Sequence, residues 1–404
     1  MKFRHRILLD RTVAAPLAFF ANGLARVLGW TLQRDHSIDP ATTKHIVVSK
    51  LVGMGSILQA TPLLRALKQR FPQAQLTFVT LESNRCLVER LEMVDEVLCL
   101  DDRSANRMLW TTLRTLVALV YRRVDHYFDL EVYSAFAALL TLFSLTRNRL
   151  GFYRHSNRFK RGIYSHLIYF NTRMSVRHLY LQLGRVAGIP EGVNDQLAPI
   201  RVELSDRLEL KNKLSTLGWK PGQSYILVNP NASDLLVERR WPTEHMVAAL
   251  TRLAELGWYL ILMGARSDSA FVQGLHNRVP ELLRRRVVNT AGLLSLGEVF
   301  ALIEGASCVL TNDTGPMHMA FALGKPTVCL FGPGDPAHYC IVGPDVVSLY
   351  APVSCSPCVY EVDEPPCSGN NVCMQRLLPE LVVDHVLALL NHSGEPVATR
   401  LPLV

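Results

Sequence analysis

From residue 44 onward the apolar residues come in short runs separated by longer amphipathic stretches. HIVVSK (45–50), QLTFVT (75–80), DEVLCL (95–100) and the 124–130 segment read as strands, with helices expected at 57–70, 84–92, 104–122 and 133–145. The pattern restarts near residue 206. Its strands are 225–229 (YILVN), 258–263 (WYLILM), 286–289, 307–311 (SCVLT) and 326–331 (PTVCLF), and its helices 243–256, 268–277, 296–304, 316–323 and 379–391. Strands divided by helices pair in parallel, because each return to the sheet needs a crossover. Two such alternations predict an α/β chain with two Rossmann-like, doubly wound domains. Such a pair leaves a cleft outside the carboxyl ends of both sheets, where ligands of these folds bind. The expected division is a segment 1–40, an N-terminal domain 41–200 and a C-terminal domain 201–404.

Composition narrows the class. The 404 residues are 49% hydrophobic and 19% charged, which is globular, and the net charge of +8 favours an anionic partner. Nucleic acid is disfavoured, since no helix-turn-helix, zinc-finger or aromatic RNA-binding pattern occurs. Of nine cysteines, Cys86, Cys99, Cys308, Cys329 and Cys340 stand singly and read as small apolar residues. The other four, Cys355, Cys358, Cys367 and Cys373, form C-x2-C-x8-C-x5-C within 355–373. Their thiolates could hold one structural zinc, form disulfides or stay free. A chain of this length needs no disulfides, so a reducing cytoplasm is the default.

Ahead of the first strand lies RTVAAPLAFFANGLARVLGWTLQ (11–33). Leu17, Phe20, Leu24, Val27 and Leu28 fall on one helical face, and Asn22, Arg26 and Gln33 on the other. With the basic flank KFRHR (2–6) and Trp30, this suits a helix lying on an anionic membrane surface. Packing on the N-terminal domain is the plainer alternative, and a signal or spanning segment the third.

Four stretches carry chemistry. In LTNDTGPMHMAFALGKPTVCLFGPGDP (310–336), Asp313 could cap a helix whose first amides, at Gly315 and His318, would face an anion. ILVNPNASDLLVERRWPTEHMVAAL (226–250) brings Arg239 and Arg240 behind a strand, with Asn229 and Asn231 at its end. LMGARSDSAF (262–271) places Asp268 after a strand-glycine turn, as a hydroxyl acceptor or a helix cap. SKLVGMGSILQATP (49–62) is a strand, a glycine turn of Gly53, Met54, Gly55 and Ser56, and a helix.

Together these stretches resemble glycosyltransferase family 9, the ADP-heptose:lipopolysaccharide heptosyltransferases and their relatives, over roughly residues 44–390. The carrying motifs are D-T-G-x-x-H, then G-K-P-T-V-x-L-F-G, the basic residue before Trp241-Pro242, and the glycine turn before T-P-L-L-R-A-L-K. The resemblance implies a GT-B architecture and inverting transfer of a sugar such as heptose. The donor would be a nucleotide-diphosphate sugar (ADP-heptose or similar), and the acceptor a lipid-linked saccharide at the inner face of a bacterial inner membrane. It implies that Thr314, Gly315 and His318 hold the donor diphosphate with Arg239, and that Asp268 accepts from ribose hydroxyls. No cofactor is required, because an arginine fork and helix amides can serve the diphosphate. The turn departs from the family at Ser56, where an aspartate base is usual; an unaided serine is not basic at neutral pH. Glu131, in YFDLEVYS (127–134), is the expected substitute, with Glu82 and His155 as outsiders. Arg154, Arg158, Lys160 and Arg161, interleaved with aromatics in 151–171, would suit an acceptor bearing phosphate or sugar acids. A catalytically silent sugar-nucleotide-binding protein and a sugar-nucleotide epimerase on the same scaffold are the alternatives.

Overall fold

The computed structural model describes residues 8–391 apart from 34, 221, 233–235, 360, 363, 364 and 366. The basic flank KFRHR lies outside the described residues. The chain divides into two compact units, residues 1–198 and 199–404.

Each unit is built on a six-stranded, wholly parallel sheet. In the first, β1 (His45–Ser49), β2 (Gln75–Leu81), β3 (Glu96–Leu100), β4 (His126–Asp129), β5 (Asn148–Tyr153) and β6 (His166–Tyr169) stand in the order β3-β2-β1-β4-β5-β6. In the second, β7 (Tyr225–Asn229), β8 (Tyr259–Leu262), β9 (Val287–Asn289), β10 (Cys308–Asn312), β11 (Thr327–Phe331) and β12 (Val346–Tyr350) stand as β12-β11-β10-β7-β8-β9. Helices cover the central strands on both faces, which is why β7 and β10 read as continuous apolar runs: every residue of both is buried. The strand order reverses between β1 and β4 in one sheet and between β7 and β10 in the other. Loops leaving the carboxyl ends of those pairs diverge and open a crevice.

Several elements differ from the sequence expectation, among them an unforeseen helix at Val176–Arg185. The irregular basic stretch 151–171 holds the end of β5, a short 3-10 segment (His155–Lys160) and β6. Polar residues at the strand starts, Asn148, Arg149 and His166, break the apolar runs there. Strand β12 escaped notice because its burial alternates at a sheet edge. The helix expected over 57–70 is two helices, Met54–Gln59 and Thr61–Arg70, with Pro62 in the first turn of the second.

Residues Ala15–Leu32 form a helix, preceded by one π-turn at Asp10–Ala14. Among the described residues, Asp10–Leu32 is the one helix long and apolar enough to cross a membrane. It is nevertheless fastened along the first unit. The Asp10 carboxylate accepts from the Ser134 hydroxyl and from the amides of Ala135 (3.0 Å) and Phe136 (2.8 Å), so it caps the Ala135–Phe143 helix. Asn22 Oδ1 accepts from the Gly162 amide. A Cβ at Gly162 would sit 2.5 Å from the Asn22 carbonyl oxygen, so only glycine permits this approach.

Candidate functional site

The crevice of the second unit gathers the motif residues of 226–240 and 310–318. Asn229, the last residue of β7, donates to the hydroxyls of Thr311 (2.9 Å) and Thr314 (2.8 Å). Asn312, the last of β10, donates to the carbonyls of Pro230 (3.1 Å) and Asn231 (3.2 Å). The two strand ends are thereby stitched together, and Asn229 serves the frame.

Beyond that frame lie Arg239 and Asp313. Arg239 Nη1 donates to the Asp313 carbonyl at 3.3 Å, and its Nε stands 3.5 Å from the Asp313 carboxylate. Asp313 was expected to cap the following helix; it does not. Thr314 is the N-cap residue of Gly315–Ala322, no side chain caps that helix, and the Asp313 carboxylate turns inward toward Arg239. It also explains Gly334, where a Cβ would fall 2.4 Å from Asp313 Oδ2. Burial raises the Asp313 carboxyl above the usual range, opposed by Arg239 and His338. Burial, with Arg239 adding to it, pulls His318 down to about 3, so the imidazole is neutral. Its side chain packs edge-on to Phe321 and Tyr339, leaving the helix amides as its contribution toward an anion.

Two buried acceptors in this corner, Asn231 Oδ1 and Asn312 Oδ1, have no hydrogen-bond partner, and Arg239 Nε and Asp313 Oδ2 face each other as an ion pair without a well-formed hydrogen bond. Buried polar groups are nearly always satisfied, so a concentration of exceptions at a crevice marks a place where a ligand completes the bonding. Gly315 adds room, since a Cβ there would meet nothing closer than Met319 Cε at 3.9 Å. Arg240 points elsewhere, its guanidinium 4.3 Å from the Phe271 ring centroid. The Asp268 carboxylate accepts from the Ala265 amide (2.9 Å) and closes its own turn after β8.

In the first unit the crevice lies beside the glycine turn. Gly53 has φ +92°, a backbone region other residues rarely adopt. Glu131, 8% exposed, does reach this turn. Its Oε1 accepts from the amides of Leu51 (2.8 Å) and Val52 (3.0 Å), while Oε2 pairs with Lys50 Nζ at 2.9 Å. Burial works to raise its pKa, but Lys50 and the two amides prevail and hold it below the usual carboxylate range. A carboxylate so engaged is a clamp on the turn and a poor proton acceptor. Ser56 lies within hydrogen-bonding reach of the buried Tyr180. Glu82 is paired with Arg85, and His155 contacts Arg158.

Lys160, expected on the basic surface with Arg154 and Arg158, is instead fully buried. Its ammonium donates to the Glu131 carbonyl (2.5 Å) and lies 3.7 Å from Asp129, which also accepts from Ser49 (3.1 Å) and Tyr164. Arg154 donates to the Tyr133 hydroxyl at 2.8 Å and stays half-buried, whereas Arg158 is exposed. Sequence reasoning missed Lys50, Asn312, Tyr180 and Gly334. Lys50 at a strand end before a glycine turn was the available signal.

All nine cysteines are unbridged. Cys355, Cys358 and Cys367 all lie close enough to Cys373 to raise its pKa, yet burial contributes more, pushing it to about 11. Among the described residues no three His, Cys, Asp or Glu side chains are gathered closely enough to hold a metal ion, these four included.

Comparison with known proteins places the chain in a family. The family model described as Glycosyltransferase family 9 (heptosyltransferase) matches residues 133–367. Lipooligosaccharide heptosyltransferase 2 of Haemophilus influenzae is 35% identical over 100 residues, which span 25% of this chain and 29% of that protein. Lipopolysaccharide heptosyltransferase 2 of Escherichia coli K12 is 24% identical over 311 residues, covering 70% of this chain and 81% of the other. The solved family 9 glycosyl transferase from Veillonella parvula shares the fold at a TM-score of 0.73 and 20% identity, over 88% of this chain and 99% of that one.

Proposed function

The chain belongs to glycosyltransferase family 9, the heptosyltransferase family, and from that premise we propose that it transfers a heptose-class sugar from a nucleoside diphosphate to a lipid-linked saccharide. The unsatisfied corner between β7 and β10 carries this reading. Asn231 Oδ1 and Asn312 Oδ1 are buried acceptors there that a ligand would complete, beside the Arg239–Asp313 ion pair. Arg239 would fork onto the donor diphosphate, and the first amides of Gly315–Ala322 would add to it. As the acceptor oxygen bonds to the anomeric carbon with inversion, the bond from that carbon to the diphosphate oxygen breaks, the hydroxyl proton passes to water, and negative charge grows on the departing nucleoside diphosphate. A guanidinium held from behind by Asp313 stabilises that charge without having to reorganise. The arginine and the helix amides provide the neutralisation, so transfer is expected without added metal.

The turn Gly53–Ser56 of the first unit would present the acceptor, with Arg154 and Arg158 toward its acidic groups. Glu131 acts as a positioning residue that fixes the turn and Lys50. The relatives named above are lipopolysaccharide and lipooligosaccharide heptosyltransferases. On that analogy the acceptor is a saccharide of the lipopolysaccharide-core kind, met at the cytoplasmic face of a bacterial inner membrane.

The test is release of nucleoside diphosphate from ADP-heptose in the presence of a lipopolysaccharide-core acceptor. Acceptor-dependent release supports transfer; tight donor binding with no release under any acceptor overturns it. That negative outcome would favour a second reading, a sugar-nucleotide-binding protein without turnover. Its supporting observation is the serine at position 56, tied to Tyr180, beside a glutamate already committed to Lys50.

A further inference from the structure

The N-terminal helix presents its faces in the opposite sense to a helix packed into a core. A helix packed on a globular unit normally buries its apolar side. Here the stripe turned inward is Ala14, Ala18 and Asn22, and the apolar side faces away: Leu17, Phe20, Leu24 and Val27 are 54–74% exposed, and Trp30 is 78% exposed. The Ala105–Arg122 helix behaves alike. It buries Thr115 and Leu119 but exposes Leu109, Trp110, Leu113, Val117 and Tyr121 by 49–88%. Both flank one element, the Ala135–Phe143 helix. Ala137 and Leu140 of that helix share a core cluster with Leu119, and Ala135, Ala138 and Leu139 share another with Ala14 and Ala18. The exposed apolar residues therefore belong to two helices held on either side of a third. Exposed apolar area on this scale marks an interaction surface.

Charge selects the partner. Neither 11–33 nor 105–123 contains an acidic residue, whereas Arg26, Arg114 and Arg123 are all exposed; Arg107 is paired with Asp101 at 3.3 Å. A second copy pairing through the same face would set these arginines against one another. We propose that the two helices form a platform that docks flat on an anionic lipid bilayer, with aromatic and aliphatic side chains in the headgroup boundary and arginines on the lipid phosphates. The helix 15–32 lies along the membrane and does not cross it. Asp10 and Asn22 fix it to the unit over three turns, and crossing would leave the Ala135 and Phe136 amides without the Asp10 carboxylate. The part played by Ala105–Arg122 is beyond what the apolar N-terminal stretch announces.

Flotation of the full chain with vesicles tests this without requiring any transfer, so its outcome is separable from that of the enzymatic reading. Binding is expected to vesicles containing phosphatidylglycerol and to fall by about fivefold for each of Arg114 and Arg123 changed to Gln. Trp110→Glu with Val117→Glu is expected to weaken binding at least tenfold while the circular dichroism spectrum and transfer to a soluble, delipidated acceptor stay unchanged. Phe20→Glu with Leu24→Glu should act similarly. Unchanged binding in the W110E/V117E variant overturns the two-helix platform. Retention of the chain in membranes after alkaline carbonate washing shows a spanning helix and overturns the flat docking. A dimer that dissociates in the same variants, with no vesicle binding by the wild type, assigns the face to a second copy.

Discussion

Arg239 is the residue on which the donor site turns. Its Nε faces the buried Asp313 carboxylate and its Nη1 donates to the Asp313 carbonyl, so the guanidinium is held in place before any ligand arrives. Arg239→Ala is expected to lower kcat/KM by roughly 10²–10³-fold, the range seen when one preorganised donor to developing charge is removed. Arg239→Lys should recover little of this, because a lysine cannot make the fork. Initial rates of nucleotide release measure both. Glu131 makes a contrasting case. Glu131→Gln leaves Lys50 buried without its counter-charge, and breaking such a pair costs about 3–5 kcal/mol. A base would instead show as a kcat loss with unaltered folding. Denaturant unfolding beside steady-state kinetics separates the two, and the clamp account expects the first. Its pH sense follows from a folded pKa below the unfolded one. The stabilisation from Glu131 is present above the ordinary carboxylate range and is lost as pH falls through the folded value.

At the scale of elements, the parts most legible in the sequence were those whose physics is local. The strands β1, β2, β7, β10 and β11 are apolar runs bounded by turns, and both glycine-bearing loops announced themselves by composition. What stayed hidden depended on partners distant in sequence. Lys160 reads as a surface charge until Asp129 and the Glu131 carbonyl fold around it. Asp313 reads as a cap until Gly334 makes room behind it. The apolar face of the N-terminal helix was visible, and so was an outward setting for it; the contacts that fix it, Asn22 to Gly162 and Asp10 to Ala135, were not. Asp10→Ala tests that last link. It leaves the Ala135 and Phe136 amides without their acceptor, while Ser134 still caps the helix, and is expected to cost about 1–2 kcal/mol, with loosened protection of the 10–32 amides in hydrogen exchange. Gly53→Ala forces an alanine to φ +92° and should cost roughly 1–3 kcal/mol and distort the acceptor turn.

For the whole molecule, two parallel sheets with reversed strand order divide the work. Each offers one crevice, and the two motif clusters fall in different units. The amino end of the first sheet is a separate matter. A polar cavity of about 200 Å³ lies there, lined by Asp39, Thr43, Asp125, His126 and Asn148 among others. His126 faces Thr43 Oγ1 at 2.8 Å and the Asn148 amide at 3.3 Å, and burial pulls it down to about 4. Because that lies below the unfolded value, the unfolded chain takes up the proton first. Stability should therefore fall as pH drops from about 6.5 toward 4, by about 3 kcal/mol from this group, and His126→Gln should flatten that slope in thermal melts.

The central claim is that the corner between β7 and β10 binds a nucleoside-diphosphate sugar and drives its transfer. Calorimetric titration of ADP-heptose into wild type and Arg239→Ala, paired with acceptor-dependent ADP release, addresses it most directly. The account predicts saturable donor binding and turnover in the wild type, with turnover lost in the variant while its fold is retained. Equal turnover by the two proteins would contradict it.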